Sequence, residues 1–359
     1  MDVVLPRVRS VPAKFLLFDI DTSCEPEIAW EALNLCKLDR LTSLAEMELI
    51  GEDPLSLSQL TWPSGGTLPI PCKRLSLATK KDESSAPSLC KLTDIIACLS
   101  GCEQVQVEDM QSVLISRHEC LENIKSLVVV GCLQLFWPVT GLSNLTLLYL
   151  ESIELCDILH LDHPNICELP ALRSLTVYLV TAFPWGRLVC PQITTCRTYG
   201  DYGKMLPQFL LRHRTITSLE TKITEKQDLF PLAVAADQIE SFYYSGDVAH
   251  LVQWEESNLQ SPPFPKLNSL FICHEVGGDG KAELPLEVFE KLVKSRVLKV
   301  PSFLRPIEHF AVAHLPKEPK LDEWKKSPLF LTSSQTYQTE NLPYIIESTR
   351  HLLKLHWPV

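Results

Sequence analysis

Along this chain apolar residues recur in one short figure: an apolar position, two free, an apolar position, one free, an apolar position. It is clearest at Ile124/Leu127/Val129, Leu145/Leu148/Leu150 and Leu172/Leu175/Val177, and Cys132 follows the first of these three residues later. The same figure recurs upstream as Phe15/Phe18/Ile20, Leu44/Met47/Leu49, Cys72/Leu75/Leu77 and Cys102/Val105/Val107. Downstream it recurs as Ile193/Cys196/Thr198, Ile216/Leu219/Thr221, Ile239/Phe242/Tyr244, Leu267/Leu270/Ile272 and, more weakly, Ser295/Leu298/Val300. Alternation within each figure puts its last two apolar residues on one face of a strand and the residues between them on the other. Between these strands, residues 25–38, 87–101, 202–215, 227–238, 247–259 and 284–295 carry apolar residues at helical spacing. The two shortest intervals, Ile124 to Leu145 and Leu172 to Ile193, leave room only for loops through Pro138, Pro184 and Pro191.

The starts fall 21 to 30 residues apart over about eleven units. That is the period of a leucine-rich repeat, in which each unit covers its apolar face with its neighbours. The expected fold is an α/β leucine-rich-repeat solenoid, a horseshoe with a parallel sheet on its concave face. Thr and Cys replace Leu in several units, and only Cys132 fills the usual Asn/Cys position, so the repeats are degenerate and the curvature irregular. Residues 1–300 form the solenoid, and the proline-rich, charged segment 301–359 caps it. The end, LPYIIESTRHLLKLHWPV, reads as a closing helix.

The chain carries a net charge of −11 and no basic stretch, which argues against a nucleic-acid partner. Ser126 to Leu150 contains no charged residue, but Pro138, Gly141 and two repeat strands within it favour repeats over a membrane span. The 13 cysteines include no C-x-x-C pair. Several, such as Cys72, Cys90, Cys102 and Cys196, stand where a small apolar residue would serve. Reduced thiols and a cytoplasmic or nuclear setting are expected.

The residues lying between triplet positions form columns on the concave face. The first is Asp19, Glu48, Ser76, Gln106, Val128, Tyr149, Thr176, Arg197, Glu220, Tyr243 and Phe271. The next contains Glu108, Val130, Glu151, Tyr178, Tyr199, Lys222, Ser245 and Cys273. Tyrosines and arginine anchor protein interfaces because they bury large area and keep a polar handle. Tyr149, Tyr178, Arg197, Tyr199, Tyr243 and Phe271 are therefore the candidate partner-binding residues. No catalytic motif and no cofactor site is assigned. His160 and His163, near Asp157 and Asp162, read as a polar loop rather than a metal site.

Residues 202–224, with Phe209, Leu210, Arg212 and His213 followed by Ile216, Thr217 and Leu219, carry a family resemblance. So do the phrases LPALRSLTV (169–177) and FPKLNSLFI (264–272). They are similar to leucine-rich-repeat F-box proteins of mushroom-type fungi. The resemblance implies a substrate-recognition part of an SCF-type ubiquitin ligase, with the ligase adaptor as a second partner. The family pattern places an F-box, opening on Leu-Pro and a helix, ahead of the repeats. Here Leu5-Pro6 leads into RVRSVPAKFLLFDID, which reads as a strand. The alternative is a stand-alone repeat scaffold with no ligase link.

Overall fold

The computed structural model describes residues 15–20, 45–51, 70–79, 89–97, 99–116, 119–137, 141–157, 167–181, 183–199, 205–223, 231–232, 235–257, 264–274, 287–288, 291, 309–313, 334–337 and 352–356. The protein is α/β, with a large, mostly parallel sheet and few helices. The chain divides into two compact units, Met1–Ile193 and Thr194–Val359.

In the first unit the strands are β1 Phe15–Ile20, β2 Glu46–Gly51, β3 Ile70–Pro71, β4 Arg74–Thr79, β5 Leu89–Lys91, β6 Leu99–Ser100 and β7 Gln104–Glu108. They continue as β8 Ser112–Leu114, β9 Ser126–Val130, β10 Gln134–Trp137, β11 Leu147–Asp157, β12 Cys167–Glu168, β13 Ser174–Thr181 and β14 Leu188–Val189. One parallel ladder runs β1–β2–β4–β7–β9–β11–β13. Its register aligns the triplets: Leu75 with Val105, Val105 with Leu127, Leu127 with Leu148 and Leu148 with Leu175. All of these are buried. A second ladder, β5–β8–β10, joins the far end of β11. Among the described residues, the returns in this unit hold short strands, helix α1, Leu92–Ala97, which buries Leu92, Ile95 and Ile96, and a single 3-10 turn at Glu119–Asn123.

A backbone corner separates the two ladders. Asp109, Gly131, Ser152 and Leu179, each two residues after its triplet, take left-handed φ values of 54°, 67°, 52° and 49°. The corner lets the chain turn while its pairing continues: Asp109 donates its N–H to the Val130 carbonyl, and Gly131 to that of Glu151, both at 2.9 Å. Gly131 suits this place twice over. Its φ disfavours a side chain, and an added Cβ would press into the Asp109 carboxylate.

The second unit repeats the plan with β15 Thr195–Tyr199, β16 Ser218–Ile223, β17 Ser241–Gly246, β18 Ser269–His274 and β19 His309–Ala313, all parallel in sequence order. Helix α2, Met205–Arg212, buries Leu206, Phe209 and Leu210 at helical spacing. Helix α3, Val248–Ser257, is capped by Asp247, whose carboxylate accepts the Ala249 N–H at 2.9 Å.

Two hydrogen-bond devices recur in both units. First, one carbonyl at each strand entrance accepts two successive N–H groups from the next repeat, at 2.7–3.0 Å. Ala45, Lys73, Glu103, Lys125 and Thr146 do this in the first unit, and Thr194, Thr217 and Glu240 in the second. Second, the first triplet residue closes a turn onto the carbonyl three residues back, at 3.1–3.2 Å. The residues supplying those carbonyls are Leu121, Leu142, Leu169, Cys190, His213, Ala236 and Phe264, and all are buried. The repeat thus has a fourth apolar position ahead of the triplet.

Three sequence expectations are corrected. In β1 the register moves by two residues: Leu16 and Phe18, not Phe18 and Ile20, align with Met47 and Leu49, so Asp19 meets Ile50 and Leu17 meets Glu48. FLLF is apolar on both faces, so its pattern cannot fix register. The strand that follows β18 is His309–Ala313, with Phe310 and Val312 beside Leu270 and Ile272, inside the segment assigned to the cap. Leu298 and Val300 lie outside the described residues. Finally, Leu352–His356 is a strand, β21, antiparallel to β19 and to β20 Ser334–Tyr337, and not a helix. An open edge of β19 would leave a row of N–H and C=O groups unpaired, and β21 satisfies them.

Cys72, Cys90, Cys102, Cys132, Cys190 and Cys196 are buried thiols. Burial pushes Cys72 up to about 11 and Cys90, Cys102, Cys132 and Cys190 up to about 12, so these act as small apolar groups rather than nucleophiles. The run Ser126 to Leu150 holds strands, and among the described residues no helix is long and apolar enough to cross a membrane.

Gly131→Ala is expected to cost about 1–3 kcal/mol, read as a lower urea midpoint, because strain and the Asp109 contact add; an unchanged midpoint would refute the corner. His213 fills an apolar turn slot, its Nδ1–H donating to the Phe209 carbonyl at 2.9 Å, and burial lowers its pKa below 6.5. The unfolded chain therefore gains a proton that the folded one resists. Stability should be full above pH 6.5 and fall as pH drops below it towards the folded value. His213→Leu, the residue found at this slot in three other repeats, should remove that part of the acid sensitivity.

Candidate functional site

In each unit the residues singled out by sequence lie on the sheet face opposite the triplets. Tyr149 and Tyr178 belong to the first unit. Tyr149 stands between Val128 and Thr176, and Tyr178 beside Glu151. Both tyrosines are half-buried, with Val128 and Val130 half-buried next to them and Leu147 exposed. The Tyr149 hydroxyl donates to the Glu151 carboxylate, and the Gln106 amide donates to Glu108. Both bonds join residues two apart on one strand, so each carboxylate is held by its own strand's preceding same-face residue.

Arg197, Tyr199, Tyr243 and Phe271 belong to the second unit. Arg197, Glu220, Tyr243 and Phe271 are directly opposite one another on β15 to β18. The Tyr243 and Phe271 rings are stacked, with centroids 6.3 Å apart and planes 18° from parallel. Glu220 is gripped from both sides: Tyr199 Oη donates to Oε1 at 2.8 Å, and Arg197 Nε approaches Oε2 at 3.3 Å. Burial pushes the Glu220 carboxyl up from its ordinary range, while the Tyr199 hydrogen bond and the Arg197 charge pull it back. Tyr199 is itself pushed upward, chiefly by burial.

Tyr199 corrects the expectation of an accessible anchor, since only 7% of it is exposed. The strand alternation is nevertheless as expected, because its hydroxyl reaches a carboxylate on the Arg197 face. In the same outer column Ser245 and Cys273 are buried as well, while Lys222 is half-buried. Arg197, Tyr243 and Phe271 remain half-buried and reachable.

Sequence reasoning passed over Glu108, Glu151 and Glu220 as site residues. The available signal was the spacing Gln-Val-Glu and Tyr-Leu-Glu, which puts donor and carboxylate on one strand face. For the Tyr199–Glu220 pair, which spans two strands, no local signal exists. Among the described residues no group of three His, Cys, Asp or Glu side chains converges to hold a metal ion, and His160 and His163 lie outside them. Neither family models nor curated proteins give a match to this chain.

Tyr199→Phe is expected to lower stability by about 1–2 kcal/mol near neutral pH, because the buried Glu220 carboxyl loses a hydrogen-bond partner. Glu220→Gln, which still accepts from Tyr199, should cost less. The raised Glu220 pKa contributes stability that is full below pH 4.5 and lost as pH rises through the folded value. Urea midpoints across that range should show wild type losing ground to Glu220→Gln as pH rises; parallel curves would contradict the buried pair.

Proposed function

We propose that this chain is a leucine-rich-repeat protein-interaction module, non-enzymatic, that binds a protein partner on the sheet face opposite its triplets. The observation that carries the reading is the repeated register itself. Buried triplets align from strand to strand, the same forked carbonyl bonds recur at each entrance, and the opposite face varies from repeat to repeat. Such an arrangement separates a fixed core from a surface free to differ. Half-buried aromatic residues on that surface, Tyr149, Tyr178, Tyr243 and Phe271, with Arg197, are the side chains best suited to anchor a partner.

Membership of an SCF-type ubiquitin ligase, as its substrate-recognition part, rests on the resemblance of residues 169–177, 202–224 and 264–272 to fungal F-box repeat proteins. A stand-alone scaffold is the other reading, and adaptor binding separates the two. Nothing in this reading requires a cofactor, nucleic acid or membrane.

The test is affinity purification of the tagged chain with the proteasome blocked, beside a Tyr149→Ala/Tyr178→Ala variant and an Arg197→Ala/Tyr243→Ala variant. A protein recovered with wild type and lost at least about tenfold with either variant is the expected result. Co-recovery of the adaptor and cullin supports the ligase role, and their absence beside a face-dependent partner supports the scaffold. Partners that all survive both double substitutions would place binding elsewhere.

A further inference from the structure

On a solvated sheet face, polar side chains ordinarily dominate the face turned from the core. The first unit departs from this over three adjacent strands. Val128 on β9 is directly opposite Tyr149 on β11, Val130 on β9 and Tyr178 on β13 stand to either side of Glu151, and Leu147 precedes Tyr149 on the same face of β11; none of these apolar or aromatic side chains is in the core. Leu147 is 37% exposed, and Leu179, at the adjoining corner, is 55% exposed. Apolar and aromatic side chains gathered on an exposed sheet face, with fixed charge set among them, suit an interface better than a bare surface.

The charge beside the valines and tyrosines has one sign. In the two columns that hold them, the charged side chains described from β2 to β13 are Glu48, Glu108 and Glu151, and no cation stands among them. Among the described residues of this unit, Arg74 at the entrance of β4, in the column of Leu147, is taken up by Glu46 at 3.2 Å and Gln104 at 2.8 Å. Glu108 and Glu151 flank Val130 in register, one strand to either side, which puts their backbones about 10 Å apart. Gln106 and Tyr149 hold their carboxylates in place. Preorganised charge lowers the cost of ordering on binding.

We infer that this face of the first unit receives a segment of a protein partner in which an apolar side chain lies between two basic ones. The inference rests on the docking reading above and adds the partner's chemistry. The apolar side chain covers Val128, Val130 and the tyrosine rings, and the flanking lysines or arginines meet Glu108 and Glu151. The same carboxylates repel phosphate, so a nucleic acid or an anionic lipid surface does not fit here.

Fluorescence anisotropy with the full chain tests this, using three labelled, amidated peptides of alternating Lys/Leu, Ser/Leu and Lys/Ser. The Lys/Leu peptide should bind tightest, more weakly as salt rises. Glu108→Gln/Glu151→Gln should weaken it by about tenfold, from two partly exposed pairs. Glu119→Gln/Glu122→Gln removes the same charge from the exposed turn Glu119–Asn123, off this face, and should leave affinity unchanged. Equal losses from both double variants would mean general attraction to an acidic protein and would overturn the inference. Equal binding of Ser/Leu and Lys/Leu would overturn the basic partner while leaving the docking face intact. Absence of saturable Lys/Leu binding would also overturn it, whereas failure of the docking reading itself shows separately, as partners indifferent to Tyr149→Ala/Tyr178→Ala.

Discussion

Everything in this fold hangs on one shared acceptor per repeat. A carbonyl at the strand entrance receives two successive N–H groups of the following repeat, from Ala45 to Thr146 in the first unit and from Thr194 to Glu240 in the second. Each fork fixes where the next strand begins. Since strand side chains alternate, a start displaced by one residue would turn every triplet outward. The fork and the burial of the triplet therefore enforce one another: the bond sets phase, and the apolar pair penalises any other phase. Leu75, Val105, Leu127, Leu148 and Leu175 align because both conditions hold at every step.

How far the sequence could be read follows from this. The triplets were legible because burial imposes them on the residues. The turn slot ahead of them was less so, since Leu121, Leu142, Leu169, Cys190, His213, Ala236 and Phe264 share only the property of being buried there. A histidine enters that slot by satisfying its own ring against Phe209, which no apolar pattern records. The corner was hidden for the opposite reason. It is a backbone conformation, and Asp, Gly, Ser and Leu all adopt it, three of them against their preference. FLLF and LLKLH carried apolar residues without enough contrast to fix register or even element type.

The candidate site divides along the same line. Column membership follows from alternation, so the positions of Tyr149, Tyr178, Arg197, Tyr243 and Phe271 were readable. Burial on that face depends on what lies across neighbouring strands, and this is why Tyr199 was misjudged. Its ring is in the expected column, yet its hydroxyl is committed to Glu220 on the next strand. A residue's column is local information, whereas its accessibility is a property of the assembled sheet.

That distinction bears on where binding can occur. In the second unit an arginine, a carboxylate and a buried tyrosine satisfy one another, and Ser245 and Cys273 are covered beside them. The Glu220 carboxylate, gripped from two sides, has little left to offer a ligand, whereas Arg197 engages it through Nε and stays half-buried. In the first unit the pairings run along single strands, Gln106 to Glu108 and Tyr149 to Glu151. Each donor occupies one side of its carboxylate, and an ionised carboxylate accepts through two oxygens with several lone-pair directions. Such a group is oriented without being used up. The two faces thus share residue types but differ in which acceptors they leave open.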